Sequence, residues 1–160
     1  MLNLRHRFPA ITEGLHHEWA RFDGPAGTQV VDTAIEATAA WQRSGNNANS
    51  HGSFAAAEAC DAMLDQAQRS VATLLNADPA GVMFGPSTTA NVFSITRAIA
   101  HELSPGDEII CTQLDHDSNV SPWLMAADDC GATVRFARFD PSTGRLYPNA
   151  VSDLLTDRTR

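Results

Sequence analysis

Four stretches of the chain repeat apolar side chains every three or four positions, and three short, nearly continuous apolar runs stand between or after them. The first periodic stretch starts at Val30 and ends at Gly45, followed by "NNANSHG", a loop of turn formers. The second runs from Ser53 to about Asn76, with Met63, Leu64, Ala67, Val71, Leu74 and Leu75 on one helical stripe, and "DPAG" breaks it. After that the period changes. "VMFG" (82–85), "EIICTQL" (108–114) and "ATVRFARF" (132–139) predict strands. Between them, 86–103 carries a stripe of Val92, Ile95, Ile99 and Leu103, and a second helix is predicted from an N-cap at Ser121, with Pro122 at its first position, to Gly131. A last short helix is expected from Asn149. Strands separated by helices of this length favour parallel pairing through right-handed crossovers. The expected class is α/β, a mainly parallel sheet with helices on both faces. With only about three strands on the page, one edge would stay open. The pattern therefore reads as the N-terminal part of a longer chain.

Composition narrows the partners. The net charge is −8, and the 11 basic residues, all arginines, are scattered without a run, which argues against a nucleic-acid or acidic-membrane surface. No apolar stretch approaches membrane-spanning length, and the start "MLNLRHRFPAITEG" lacks the unbroken apolar segment of a secretory signal. A cytoplasmic protein is the expectation. Cys60, Cys111 and Cys130 fit neither a disulfide framework nor a CxxC motif and read as buried thiols.

In open α/β sheets ligands collect outside the carboxyl ends of the strands. Two loops occupy that position. "GPSTTAN" offers Ser87, Thr88 and Thr89 at a helix amino terminus, where unpaired N–H groups and the helix dipole attract an anion; the same hydroxyls would serve equally to cap the helix. "LDHDSN" places His116 between Asp115 and Asp117. Three consecutive side chains cannot converge on one ion, so no metal is expected. If the "PSTT" loop holds a phosphate, His116 sits one strand over, about 5 Å away by sheet spacing. There its planar ring could stack on an aromatic ring attached to a phosphate, a description that pyridoxal phosphate meets. Otherwise His116 is a solvated loop histidine.

"RFDGPAGTQV", "NANSHGSF", "FGPSTTANVFSITRAIA", "PGDEIICTQLDHDSNVSPW" and "DPSTGRL" occur in one order, and in that order they resemble the class V aminotransferase and cysteine desulfurase-like family. The resemblance covers nearly the whole chain. It implies the fold of fold type I pyridoxal-phosphate enzymes, with 1–52 as an N-terminal segment carrying entrance and dimer-contact loops and 53–160 as the first, incomplete part of the large cofactor-binding domain. It further implies a homodimer, pyridoxal 5'-phosphate as cofactor and a small amino-acid substrate. The family's phosphate loop falls on Ser87, Thr88 and Thr89 and its ring-stacking histidine on His116. His51 would approach the active site near the dimer contact, and Ala26 and Gly27 would run near the substrate entrance. The chain contains no lysine, so the family's Schiff-base lysine is not among these residues, and the chain alone is expected to lack turnover. Thr89 stands where desulfurases commonly carry an acidic residue, and Asp117 where a second histidine or a proline is usual. None of the three cysteines sits on a mobile loop suited to a desulfurase nucleophile. The alternative reading is a non-enzymatic α/β module binding a phosphorylated ligand through "GPSTT", or a dimerisation remnant without a ligand; the chain carries neither GxGxxG nor a Walker pattern.

Overall fold

The computed structural model describes residues 3–22, 24–25 and 27–160. They form two compact units, divided between Val82 and Met83, each described by itself.

The first unit is helical. A short α1 (Pro9–Thr12) precedes α2 (Asp32–Arg43) and the long α3 (Ala55–Leu75). The periodic apolar runs place α2 and α3 correctly; α1, too short to show a period, was not foreseen. Arg7 grips Asp32, the first residue of α2, with Nε and Nη2 at 2.8 and 2.7 Å. The guanidinium holds the Asp32 carboxyl below the usual carboxylate range, at a helix end where negative charge is favoured. Alanine and cysteine fill the buried face of α3 at Ala57, Cys60 and Ala72. The Cys60 thiol is committed to the Asn46 and Ala48 carbonyls at 3.1 and 3.2 Å. Asn76, in the left-handed region at φ 52°, ends α3 by donating its N–H to the Ala72 and Thr73 carbonyls, a conformation asparagine tolerates.

The second unit holds α4 (Thr88–Ala100), β1 (Glu108–Thr112), α5 (Ser121–Cys130), β2 (Thr133–Ala137) and α6 (Pro148–Ser152). β1 and β2 pair in parallel, Glu108 opposite Thr133 through Thr112 opposite Ala137, with α5 as the crossover. Ile109 and Cys111, two residues apart and so on one face of β1, are buried with Ala127 of α5, and Leu103, Trp123 and Val134 close around them. Thr96 of α4 and Pro122 of α5 are the bulkiest fully buried side chains. Such small residues let α4 and α5 pack together.

Two expectations need correction. The run 82–85 is not a strand. Val82 is extended (φ −93°, ψ 117°), yet nothing pairs with it among the described residues, and its carbonyl is taken by the Gln68 Nε2–H at 3.0 Å. A strand is defined by its neighbour, which an apolar run cannot reveal. The second correction concerns α5: it begins at Ser121 itself, with Val120 in the N-cap position and no side-chain cap. The Ser121 hydroxyl donates instead to Asp117 at 2.6 Å.

One pairing was not foreseen at all. Thr159 bridges Glu108 in parallel on the edge of β1 away from β2. The Glu108 N–H donates to the Arg158 carbonyl at 2.9 Å, and the Arg160 N–H donates to the Glu108 carbonyl at 3.0 Å. Side chains fasten the same edge. Glu108 Oε2 accepts from the Thr156 hydroxyl at 2.8 Å and from Arg135 at 3.1 Å, while Arg160 meets the buried Asp107 carboxylate at 3.0 Å.

The Thr156 hydroxyl, then Arg135, hold Glu108 below the usual glutamate value. A carboxyl whose folded value lies below its unfolded one adds stability above the ordinary glutamate range and loses it as pH falls through the folded value. Acidification should therefore lower the protection factors of the Glu108 and Arg160 amides, measured against the intrinsic exchange rate at each pH, only below that range, and Glu108→Gln should remove the step; protection that is flat through the same interval would contradict this account. A second test concerns Gly131, which ends α5 in the left-handed region at φ 73°. Gly131→Ala places a Cβ in that region and should cost about 1 kcal/mol of unfolding free energy by denaturant titration.

Candidate functional site

At Thr112 the chain leaves the sheet, and side chains take over the hydrogen bonding that the ladder no longer supplies. The Thr112 hydroxyl donates to Asp115 at 2.8 Å and accepts the Leu114 N–H at 3.2 Å. Asp117 accepts from Ser121, and Asn119 accepts the Trp123 indole N–H at 3.3 Å. Residues 112–123 are thereby pinned at short intervals, from the end of β1 into the first turn of α5. Burial, then the neighbouring Asp115 carboxylate, push the Cys111 thiol up. That thiol is a packing group and no nucleophile.

His116 sits at the start of a 3-10 turn, Asp117–Asn119. Its Nδ1 receives the Ser118 N–H at 3.1 Å and lies 3.0 Å from the Ser118 hydroxyl. A backbone N–H can only donate, so Nδ1 presents its lone pair and the neutral ring carries its proton on Nε2. Ser118 is buried while His116 is exposed. The ring is held at one edge, in a residue that is exposed as a whole.

The second loop precedes α4. Ser87 is the N-cap, its side chain accepting the Ala90 N–H at 3.1 Å. Thr88 and Thr89 open the helix. Among the described residues, their amides and hydroxyls have no hydrogen-bond partner, so the first turn presents free donors. Gly85 lies directly against the Asn91 side-chain amide, which a Cβ there would displace. The loop thus folds back on its own helix, with its hydroxyls exposed. This arrangement suits a phosphate, and the exposed His116 suits a flat ring.

The two loops belong to the same unit, and α4 packs against the turn that His116 opens. With no strand at 82–85, the sheet spacing on which the sequence argument relied does not relate the two loops. At the carboxyl ends of β1 and β2 lies an open hollow of about 460 Å³, lined by Thr112, Asp115, Asp117, Val120, Phe136 and Phe139 among others. A second cleft of about 440 Å³ lies between α4 and α5, bordered by Phe93, Thr96, Arg97, Pro122 and Ala126.

The remaining candidates lie in the other unit. His51 is exposed at φ 64°, its N–H shared between the two Asp61 carboxylate oxygens at 3.0 Å each. Its Nδ1 stands 3.5 Å from Asp61. It is a turn residue tied to α3. Gly27 is exposed, its N–H donating to the Gly24 carbonyl at 3.3 Å, and Ala26 lies outside the described residues. Cys130 donates to the Ala126 carbonyl one helical turn back at 3.0 Å. No group of three or more His, Cys, Asp or Glu side chains converges among the described residues. Sequence reasoning missed Ser118 and Asn91. For Ser118 a signal existed, since a side chain that can accept, two positions before a residue with a free N–H, commonly closes a local turn.

With this geometry in view, comparison with known proteins places the chain. The family described as "Aminotransferase class-V" matches residues 21–160. An uncharacterised protein of Mycobacterium tuberculosis is 36% identical over 94% of this chain and 39% of its own length. Cysteine desulfurase CsdA of Escherichia coli is 34% identical over 98% of this chain and 38% of its own. The crystal structure of CsdA superposes with a TM-score of 0.80 at 28% identity, covering all of this chain and 40% of that one. A C-DES mutant crystallised with glycine covalently linked to its pyridoxal-phosphate cofactor shares the fold at a TM-score of 0.71 and 21% identity, over 98% of this chain and 39% of that one. The chain spans about two fifths of the length of these two curated relatives, and less of some others. The fold is part of the α/β large domain of fold type I pyridoxal-phosphate enzymes, and the chain belongs to the class V aminotransferase family.

Proposed function

We propose that residues 85–91 and 112–121 form the part of a pyridoxal 5'-phosphate pocket that holds the phosphate and one face of the ring. The chain is then the corresponding portion of a cofactor-dependent enzyme acting on an amino acid, as a homodimer in the cytoplasm. Cysteine is the first substrate to test, because CsdA, a relative, is a cysteine desulfurase. The observation that carries this reading is His116: an exposed residue whose ring is anchored through Nδ1, at the start of a turn that packs on the helix with free first-turn donors.

Each group has a task that its surroundings support. The Thr88 and Thr89 amides and hydroxyls would receive phosphate oxygens at the positive end of the α4 dipole. Ser87 would hold that turn in shape through Ala90. His116 would lie flat on the pyridine ring and keep it from tilting. The cofactor, when bound, supplies an electron-withdrawing ring that stabilises negative charge developing on the substrate carbon. His51 and Gly27 would contribute from the dimer contact and the substrate entrance. The chain has no lysine amine with which to hold the cofactor covalently, so alone it should bind weakly and turn nothing over.

Titration of the chain with pyridoxal phosphate, followed by Trp fluorescence, tests the assignment. Binding should be displaced by inorganic phosphate and weakened about three- to tenfold in His116→Ala, the scale of one aromatic stacking contact. His116→Phe should keep most of it. Release of alanine or sulfide from cysteine should not exceed that of free cofactor. Binding indifferent to both phosphate and His116→Ala would remove the basis of the reading. In a separate measurement, Ser87→Ala should lower unfolding free energy by about 1 kcal/mol through the lost cap.

A further inference from the structure

Resting on the reading of His116 as the residue that faces the ring, we infer that Ser118 is its positioning residue: it fixes the tautomer and plane of the imidazole, so that a flat ligand meets a neutral ring protonated on Nε2. Two contacts converge on one atom. The Ser118 N–H reaches Nδ1 at 3.1 Å, and the Ser118 hydroxyl lies 3.0 Å from the same nitrogen. Because the N–H has no capacity to accept, Nδ1 carries no proton, and the hydroxyl is free to turn its hydrogen inward as a second donor. The ring is then held at Cβ by the backbone and at Nδ1 by Ser118, and rotation about its remaining torsion would break both hydrogen bonds.

The burial pattern agrees with this division of labour. Ser118 is 9% exposed, whereas His116 is exposed. The buried serine is the fixed partner and the histidine the presented group. The neighbouring acids do not compete for the ring, since Asp115 accepts from Thr112 at 2.8 Å and Asp117 from Ser121 at 2.6 Å. The chemical consequence is specific. A doubly protonated imidazole would turn an Nδ1–H against the Ser118 N–H, donor against donor, and would lay a cation over a pyridine ring that works best when itself protonated. In its neutral form the ring stacks without that repulsion and keeps Nε2–H as its one free donor.

The test reads the tautomer directly. In the chain labelled with 15N-histidine, at an alkaline pH where imidazoles are neutral, His116 should show an unprotonated, pyridine-type Nδ1 and a protonated, pyrrole-type Nε2 in long-range proton–nitrogen spectra. Ser118→Ala keeps the backbone N–H and removes the hydroxyl. The remaining N–H still disfavours a proton on Nδ1, but with one of the two donors lost the minor Nδ1-protonated tautomer should rise measurably, and pyridoxal-phosphate affinity should fall about three- to tenfold, the size of one neutral hydrogen bond. Ser118→Thr, which retains the hydroxyl, should restore both. A proton mainly on Nδ1 in the unmodified chain, or a Ser118→Ala spectrum identical to it, overturns the inference; if Ser118→Ala fails to fold, the unmodified chain and Ser118→Thr still decide it by the same criterion. A tautomer shift in Ser118→Ala with no cofactor binding by any form would uphold the role of Ser118 at His116 and refute the pocket.

Discussion

The site depends on what happens where β1 stops. A parallel ladder satisfies backbone groups only while both strands run, and β1 and β2 end together at Thr112 and Ala137. The last rung is the Gln113 N–H to the Ala137 carbonyl at 3.0 Å. Beyond it, each polar group must find a partner nearby or lose stability. Threonine, aspartate, histidine, serine and asparagine at 112–119 are residue types whose side chains bond locally: Thr112 and His116 accept backbone N–H groups two positions on, while Asp115, Asp117 and Asn119 accept from side chains three or four positions away. The rigidity of this loop comes from that sequence of short bonds. His116 inherits it, because its ring nitrogen is one of the acceptors.

The same dependence on partners explains the two places where strand formation was misjudged. Residues 82–85 are as apolar as any strand in the chain, yet the Val82 carbonyl is held by Gln68. Residues 156–160, by contrast, are polar and charged, and they pair with β1 because Glu108, Asp107 and Arg135 provide ionic and hydroxyl contacts along that edge. Hydrophobic pattern decides which face of a strand is buried. It does not decide whether a neighbour is present. Helices carry their hydrogen bonds within themselves, and for that reason the boundaries of α2, α3, α4 and α5 all follow from the apolar period to within a few residues.

Much of the candidate site was legible for a similar reason. The position of Ser87 before an apolar helix identifies a cap, and the cap is present; the run "EIIC" identifies a buried strand, so the loop after it has to emerge at the carboxyl edge. The relation between the two loops was legible only in outline. It was derived from a strand spacing that 82–85 does not supply; what the structure has in its place is α4 packed on the Asp117–Asn119 turn. Ser118 was read as part of a loop string because its role depends on a single rotamer of its neighbour, which no periodicity encodes. His51 was singled out for its place in a matching motif, and locally its backbone serves a turn closed by Asp61.

A chain of net charge −8, with Asp115 and Asp117 flanking the ring-facing histidine, is at first sight a poor host for a phosphate dianion. On the proposed reading three features offset this. The two carboxylates are each engaged by a hydroxyl donor, at 2.8 and 2.6 Å, which partly offsets their charge. The anion would be met by backbone N–H groups, whose partial charges at a helix start amount to roughly half a proton charge and are fixed in place before binding. The ring contact is largely dispersive and indifferent to ionic strength, whereas the phosphate contact is screened by salt. Raising the salt concentration should therefore weaken the phosphate end while leaving the His116 contribution nearly constant, so a ratio of affinities between the unmodified chain and His116→Ala that stays level across a salt series is what two physically separate contacts require.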